Sequence, residues 1–269
     1  MIYKIKSEPD EPVVLLGSEI VYGQRTVWCG GSWRPLRMNL LRTRQFFDYD
    51  RRETLPVILW LTGGGFTNHD RNVYAPELTW FAKRGFAVVS IDYSVTSLTR
   101  FPDQLRDIQE AIGYLRNHGE DYGLDTDRMV IWGESAGGYL SLLTALAGQQ
   151  EKEYGVCGAA AYYPVVSPRM EELNFPPYPP DFEQYPALET LVNPATPPML
   201  LLHGDSDSFV NLKQSERMYD ALQKNSVPSD LYILHGADHA DAAFFQPEVK
   251  QIVLEFCRKV CRINEKGCD

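Results

Sequence analysis

From about residue 55 onward the chain repeats one pattern: a short apolar run, a glycine-rich or polar turn, then apolar residues at helical spacing. Within "LPVILWLTGGGF", residues 57–61 are continuously apolar, as a strand buried on both faces should be. "TWFAKRGFAVVSIDY" reads as helix, glycine stop and a second buried strand over 86–91. In "FPDQLRDIQEAIGYLRNHGEDYG", Leu105, Ile108, Ile112 and Leu115 share one stripe of an amphipathic helix. Asp103 and Asp107 lie towards its N-terminal end, where the helix dipole favours them. A strand over 129–132 leads to a helix over 136–147. "VCGAAAYYPVV", "PPMLLLHGDSD" and "SDLYILHGADH" supply three further strands, with helices over 211–224 and about 247–262. Such alternation predicts an α/β fold, a mostly parallel central sheet with helices on both faces. Ligands on such sheets bind beyond the C-terminal strand ends.

The 269 residues are expected to form a single domain, 1–269. Residues 1–50 read as edge strands: "VVLL", "EIVYGQRTVWC" and "LRMNLLRTRQFF", broken by Gly17, Gly23, Gly30, Gly31 and Pro35. Residues 168–198 break the rhythm with proline and aromatics. This insert cannot be one helix, and a connection of such length points to a lid or binding loop. Phe175, Tyr178, Phe182 and Tyr185 give it side chains that need a surface to pack on.

The net charge of -10, without a Lys/Arg run, argues against contact with nucleic acid. No segment approaches the roughly 18 consecutive apolar residues of a membrane helix, and "MIYKIKSEPDEP" lacks a signal-peptide core. A cytoplasmic, non-membrane protein is expected, although a chain trimmed of its leader would read the same way. A homo-oligomer is compatible with the sequence. The odd set Cys29, Cys157, Cys257, Cys261 and Cys268 contains no CxxC. Cys257 and Cys261 fall four apart on the last helix, but no histidine or second pair accompanies them, so free thiols are expected.

The candidate chemistry centres on "VIWGESAGGYL", residues 130–140. G-x-S-x-G between a strand and a helix holds Ser135 on a sharp turn, with small neighbours that let strand and helix approach. The backbone N–H of Ala136 then points at the reacting oxygen near a helix N-terminus. A serine hydroxyl needs a base, and the base an orienter. Of five histidines, His118 reads as a polar cap of its helix and His203 as a satisfied structural residue. His239, in the loop after the last strand, is free to reach across the sheet top. His235 is the second candidate. For the acid, Asp207 lies further along its loop than Asp205, which is placed to stabilise the turn after His203-Gly204. Gly63, Gly64 and Gly65 in "LTGGGF" leave N–H groups uncovered for a developing oxyanion. A phosphate cradle would require a Gly-Lys-Ser/Thr that is absent.

Together "TGGGF", "GFAVVSIDY", "IWGESAGGYLSLLTAL", "HGDSDSFV" and "GADHADAAF" resemble the α/β-hydrolase superfamily. The likeness is to its serine esterases, of the hormone-sensitive-lipase-like and acetylxylan- or feruloyl-esterase-like branches, over about residues 55–257. The resemblance implies an α/β-hydrolase fold with a short lid-like insert. It assigns Ser135 as nucleophile, Asp207 as acid, His239 as base, and Gly64, Gly65 and Ala136 as the oxyanion hole. Phe66, Glu134, Tyr163 and Phe209 are expected to line the substrate pocket. The implied enzyme is a carboxylic ester hydrolase that needs no metal and no cofactor. Its substrate would be a short-acyl or aromatic-acyl ester of a small molecule or oligosaccharide. A peptidase or arylformamidase could use the same side chains on an amide, and a non-catalytic ligand-binding homologue could keep the fold. Two positions depart from the pattern: Thr62 stands where these families have a histidine bracing the glycine loop, and Asn211 where they have a proline. Thr62 is expected to change loop rigidity, donating one hydrogen bond in the histidine's place.

Overall fold

The computed structural model describes residues 1–6, 11–27, 32–43, 54–96, 98–149 and 152–263. Two antiparallel strands, β1 (Val14–Val27) and β2 (Ser32–Thr43), precede the repeating part. Then follow β3 (Leu55–Leu61), α1 (Ala75–Ala82), β4 (Ala87–Ile91), α2 (Asp103–Tyr122), β5 (Leu124–Glu134) and α3 (Ser135–Ala147). The chain continues through β6 (Gly158–Tyr162), β7 (Met199–Gly204), α4 (Lys213–Lys224), β8 (Ser229–Leu234) and α5 (Pro247–Val260). Among the described residues these strands form one eight-stranded sheet in the order β1-β2-β4-β3-β5-β6-β7-β8. Pairing is parallel from β4 across to β8 and antiparallel at the β1–β2–β4 edge.

The strand order reverses direction at β3. From β3 the chain steps outward to β4, then crosses back to place β5 on β3's other side. Ligand clefts in open parallel sheets form at such switch points. Each central strand feeds two cores by alternation. Val57, Leu59, Leu61, Ile131, Ala159 and Leu201 face α2, α3 and α4. Ile58, Trp60, Val130, Trp132, Ala160 and Leu200 face α1 and α5. Trp60 and Trp132 meet edge-to-face at 4.7 Å on the second side.

The expected elements are present, with three corrections. "VVLL" and "EIVYGQRTV" are one strand: Gly17 and Gly23 sit at register shifts of β1 against β2, so these glycines mark bulges rather than breaks. Asp107 does more than complement a dipole. It is buried, accepts the Ser94 N–H at 2.6 Å and pairs with Arg25 at 2.5 Å, joining α2 to β1. His118 is no cap: it lies within α2 against Tyr114, and the helix ends at Gly123 in the left-handed conformation. The insert is packed. Phe175, Tyr178, Phe182 and Tyr185 stack among themselves and against Phe66, Phe101 and Tyr139. Cys157, Cys257 and Cys261 are unbridged, while Cys29 and Cys268 lie outside the described residues. No helix of the described residues is long and apolar enough to cross a membrane.

Candidate active site

Ser135 follows β5 directly and opens α3 with φ 53, a left-handed conformation that a non-glycine residue adopts only when its surroundings impose it. The imposing feature is contact between the helix and β3. A Cβ on Gly137 would lie 2.2 Å from the carbonyl oxygen of Leu61, so only glycine fits. Ala136 lies in the first turn of α3, where backbone N–H groups have no intrahelical acceptor.

His239, in the turn after β8, and Asp207, in the loop after β7, reach the same point. His239 Nε2 lies 3.0 Å from Ser135 Oγ, and its Nδ1 lies 2.8 Å from Asp207 Oδ2. Since a carboxylate only accepts, Nδ1 carries the hydrogen and Nε2 is the free acceptor for the serine proton. Asp207 Oδ1 accepts the backbone N–H groups of Phe209 at 2.9 Å and Val210 at 2.8 Å. Burial alone would raise the Asp207 pKa. Hydrogen bonds from His203, His239 and the Val210 N–H more than offset it and hold the carboxyl well below the ordinary range. His235 is excluded from this cluster: it is almost fully exposed and bound to Asp205 at 2.7 Å. Asp205 also accepts the Gly236 N–H at 2.7 Å, the turn-stabilising role expected of it.

The glycine loop after β3 forms the facing wall. Gly63 donates its N–H to the Glu134 carboxyl. Gly64 has φ 133, and a Cβ there would collide with Asn68 O at 1.8 Å. The Gly64 carbonyl is turned back into the loop, accepting from Thr67 N and Asn68 N, both at 3.1 Å. Gly64, Gly65 and Ser135 therefore share one cleft of about 530 Å³, walled on the insert side by Phe175, Pro176 and Pro177. Glu134 and Phe209 line this cleft. Phe66 and Tyr163 do not. Both have positive φ, 64 and 35, and both side chains are buried. Phe66 is buried against Tyr139, Phe182 and Tyr185. Tyr163 lies beneath the His239 ring, edge-to-face at 4.5 Å.

Thr62 behaves differently from the expected donor. Its hydroxyl accepts the Trp60 indole N–H at 3.0 Å, and its carbonyl accepts the Tyr93 hydroxyl at 2.6 Å. The root of the loop is thus braced from behind. Two residues, His69 and Asp238, and the protonation behaviour of Glu134 escaped sequence reasoning. His69 stacks on Tyr93 at 4.2 Å, accepts the Tyr93 N–H at 3.2 Å and lines the cleft. Glu134 carries a pKa raised by burial, opposed in part by the Gly63 N–H. Asp238 Oδ1 accepts the backbone N–H groups of Ser208 and of His239, both at 2.7 Å, and so ties the two loops together. No spacing rule points to these contacts, because each joins elements remote in sequence or uses a backbone donor.

The BD-FAE family model matches residues 46–168, which span the glycine loop, the serine turn and the helices between them. The probable carboxylic ester hydrolase LipM of Mycobacterium tuberculosis is 28% identical over 210 residues, covering 69% of this chain and 49% of its own length. Esterase LipQ of the same organism is 29% identical over 229 residues, covering 76% of this chain and 54% of its own. The chain spans about half the length of these curated relatives. Among solved structures, an acetyl ester-xyloside bifunctional hydrolase from Caldicellulosiruptor lactoaceticus superposes with a TM-score of 0.75. It is 22% identical, and the match covers 92% of this chain and 98% of that one. A truncated carbohydrate esterase from gut microbiota gives 0.73 at 17% identity, covering 96% and 100%. By its sheet order and these likenesses, the chain has the α/β-hydrolase fold and is similar to the esterases it matches.

Proposed function

We propose that the protein is a serine carboxylesterase acting on short-acyl or aromatic-acyl esters, with a sugar or oligosaccharide as the alcohol. One observation carries the reading: the unbroken hydrogen-bond chain Ser135–His239–Asp207, with the serine at the N-terminus of α3. His239 Nε2 removes the Ser135 proton as Oγ attacks the ester carbonyl. The tetrahedral oxyanion is held by backbone N–H groups of Gly64 or Gly65 and of Ala136, each donor worth roughly 3 kcal/mol in other hydrolases. Collapse of the intermediate breaks the acyl–oxygen bond, and the alcohol leaves with the proton from His239. The same imidazole then deprotonates a water that hydrolyses the acyl-Ser135 ester. Asp207 keeps the hydrogen on Nδ1 and stabilises the imidazolium.

The substrate class draws support from the cleft. Phe175 and Phe209 bring aromatic surface to the cleft, and Asn68 and Asp70 bring polar groups. Such mixed walls suit a ring that is apolar on its faces and hydroxylated at its edges. The packed insert leaves a cleft suited to a compact acyl group. Two of the structural neighbours bear names that refer to carbohydrate or acetyl esters.

The test is a fluorophosphonate probe followed by a panel of acetyl, butyryl, octanoyl and feruloyl esters, with a peptide anilide and N-formylkynurenine as amide controls. Labelling is expected on Ser135 and absent from Ser135→Ala, whose kcat should fall by roughly a million-fold. Rapid labelling of the alanine variant would disprove the assignment of the nucleophile. Faster turnover of either amide than of the esters would move the protein to another reaction class.

A further inference from the structure

The two oxygens of the Asp207 carboxylate have different partners. Oδ1 is held by two backbone N–H groups, and Oδ2 accepts from His239. Oδ2 also lies 3.3 Å from Nε2 of a second imidazole, His203, at the end of β7. That ring is fully buried. Its Nε2 is 2.8 Å from the carbonyl oxygen of Val210, and its Nδ1 is 2.7 Å from the hydroxyl of Ser215 on α4. A carbonyl can only accept, so Nε2 carries a hydrogen. Nδ1 is occupied by the Ser215 hydroxyl. The Nε2–H thus bonds to the Val210 carbonyl, and Asp207 Oδ2 lies 3.3 Å from the same nitrogen.

We propose that His203 is a positioning residue for the candidate acid, its Nε2–H holding Asp207 Oδ2 towards His239 and drawing off part of its negative charge. The proposal rests on the Ser135–His239–Asp207 reading above. A carboxylate oxygen shared between two donors is less basic towards each. His203 would thus moderate the pull of Asp207 on the His239 N–H. A bracing role alone would need only the contacts to Ser215 and Val210. It would leave the acid–base behaviour of His239 untouched. Glu134, at the end of β5, and Tyr163, after β6, also face the His239 ring, and both stay unchanged in every variant below.

Three variants separate the roles. The Asn amide of His203→Asn reaches Ser215 but falls short of Asp207, whereas the Gln amide of His203→Gln extends to where Nε2 stood. Ser215→Ala removes only the Nδ1 partner. His203→Asn is expected to lower kcat about tenfold with KM little changed. Its acid limb of the kcat/KM–pH profile should move upward by about half a unit or more. His203→Gln should recover most of the rate, and Ser215→Ala should leave the limb in place. Equal effects of His203→Asn and Ser215→Ala, or an unmoved limb in folded His203→Asn, overturn the proposal.

The wild-type protein supplies a readout independent of folding and of substrate. In ¹⁵N-edited spectra, the His203 Nε2–H resonance should shift as pH carries His239 through its titration, and an invariant resonance overturns the proposal. Because this measurement needs no turnover, it stays separate from failure of the esterase reading, which would appear as a wild-type protein that neither labels nor hydrolyses any ester.

Discussion

Ser135 is reached by a strand–helix turn with no spare volume, whereas Asp207 and His239 hang from loops tied together by side-chain carboxylates. On the serine side the restraint is backbone against backbone, with α3 pressed onto the end of β3 at Gly137. On the acid–base side it is a set of hydrogen bonds: Asp205 to Gly236, and Asp238 to Ser208 and His239. Both of these carboxylates are exposed, and both have pKa values lowered first by the backbone N–H they accept. Close packing cannot be loosened by degrees, but a hydrogen-bonded loop can. The serine turn should therefore fail as a whole, and the loops should lose alignment while the fold persists.

The sharpest way to break this contrast is Gly137→Ala. The added methyl meets a backbone oxygen that cannot rotate away, so a loss of roughly 3 kcal/mol or more is expected. It would be read from thermal and denaturant melts. Asp238→Ala should behave oppositely, lowering kcat/KM by about 10- to 100-fold through misplacement of His239 while the melting temperature stays near that of the wild type. A large drop in melting temperature for Asp238→Ala would erase the distinction between the two sides.

Glu134→Gln refines the serine side. Burial raises the Glu134 pKa, so the unfolded chain ionises this group first as pH rises. Wild-type stability is then lost between the ordinary glutamate range and the raised folded value, and the glutamine variant is spared that loss. Its melting temperature relative to wild type should climb across that window, while its carbonyl still receives the Gly63 N–H. Glu172→Gln should have the smallest effect. Glu172, in the insert, accepts from Arg217 and Gln214 on α4, and Arg217 is the main cause of its lowered pKa. Its contribution, under about 1 kcal/mol for a partly exposed pair, is present above the ordinary glutamate pKa. It vanishes as pH falls through the lowered value, where variant and wild type should melt alike.

The same contrast decides how much was legible in the sequence. The sheet could be read because runs such as 57–61 and 129–132 are continuous over the length of a buried strand. Ser135 could be read because its glycines satisfy a local steric demand. Asp207 and His239 could be placed by their position just past strand ends. Gly17 and Gly23 misled because a bulge and a chain break use the same residue. Phe66 and Tyr163 misled because both are buried, Phe66 among insert aromatics and Tyr163 against His239, contacts invisible in sequence. The contacts of Glu134, Asp238 and His203 could not be read at all. Each depends on the distance between loops that only the finished sheet brings together.

The indole of Trp60 holds the root of the glycine loop through Thr62, and it touches Trp132, three residues before Ser135. Any displacement of that loop changes the polarity around one indole and the contact between both. Intrinsic fluorescence is therefore wired to the floor of the cleft: stopped-flow emission can follow any displacement of the loop when a compound enters, with no attached dye.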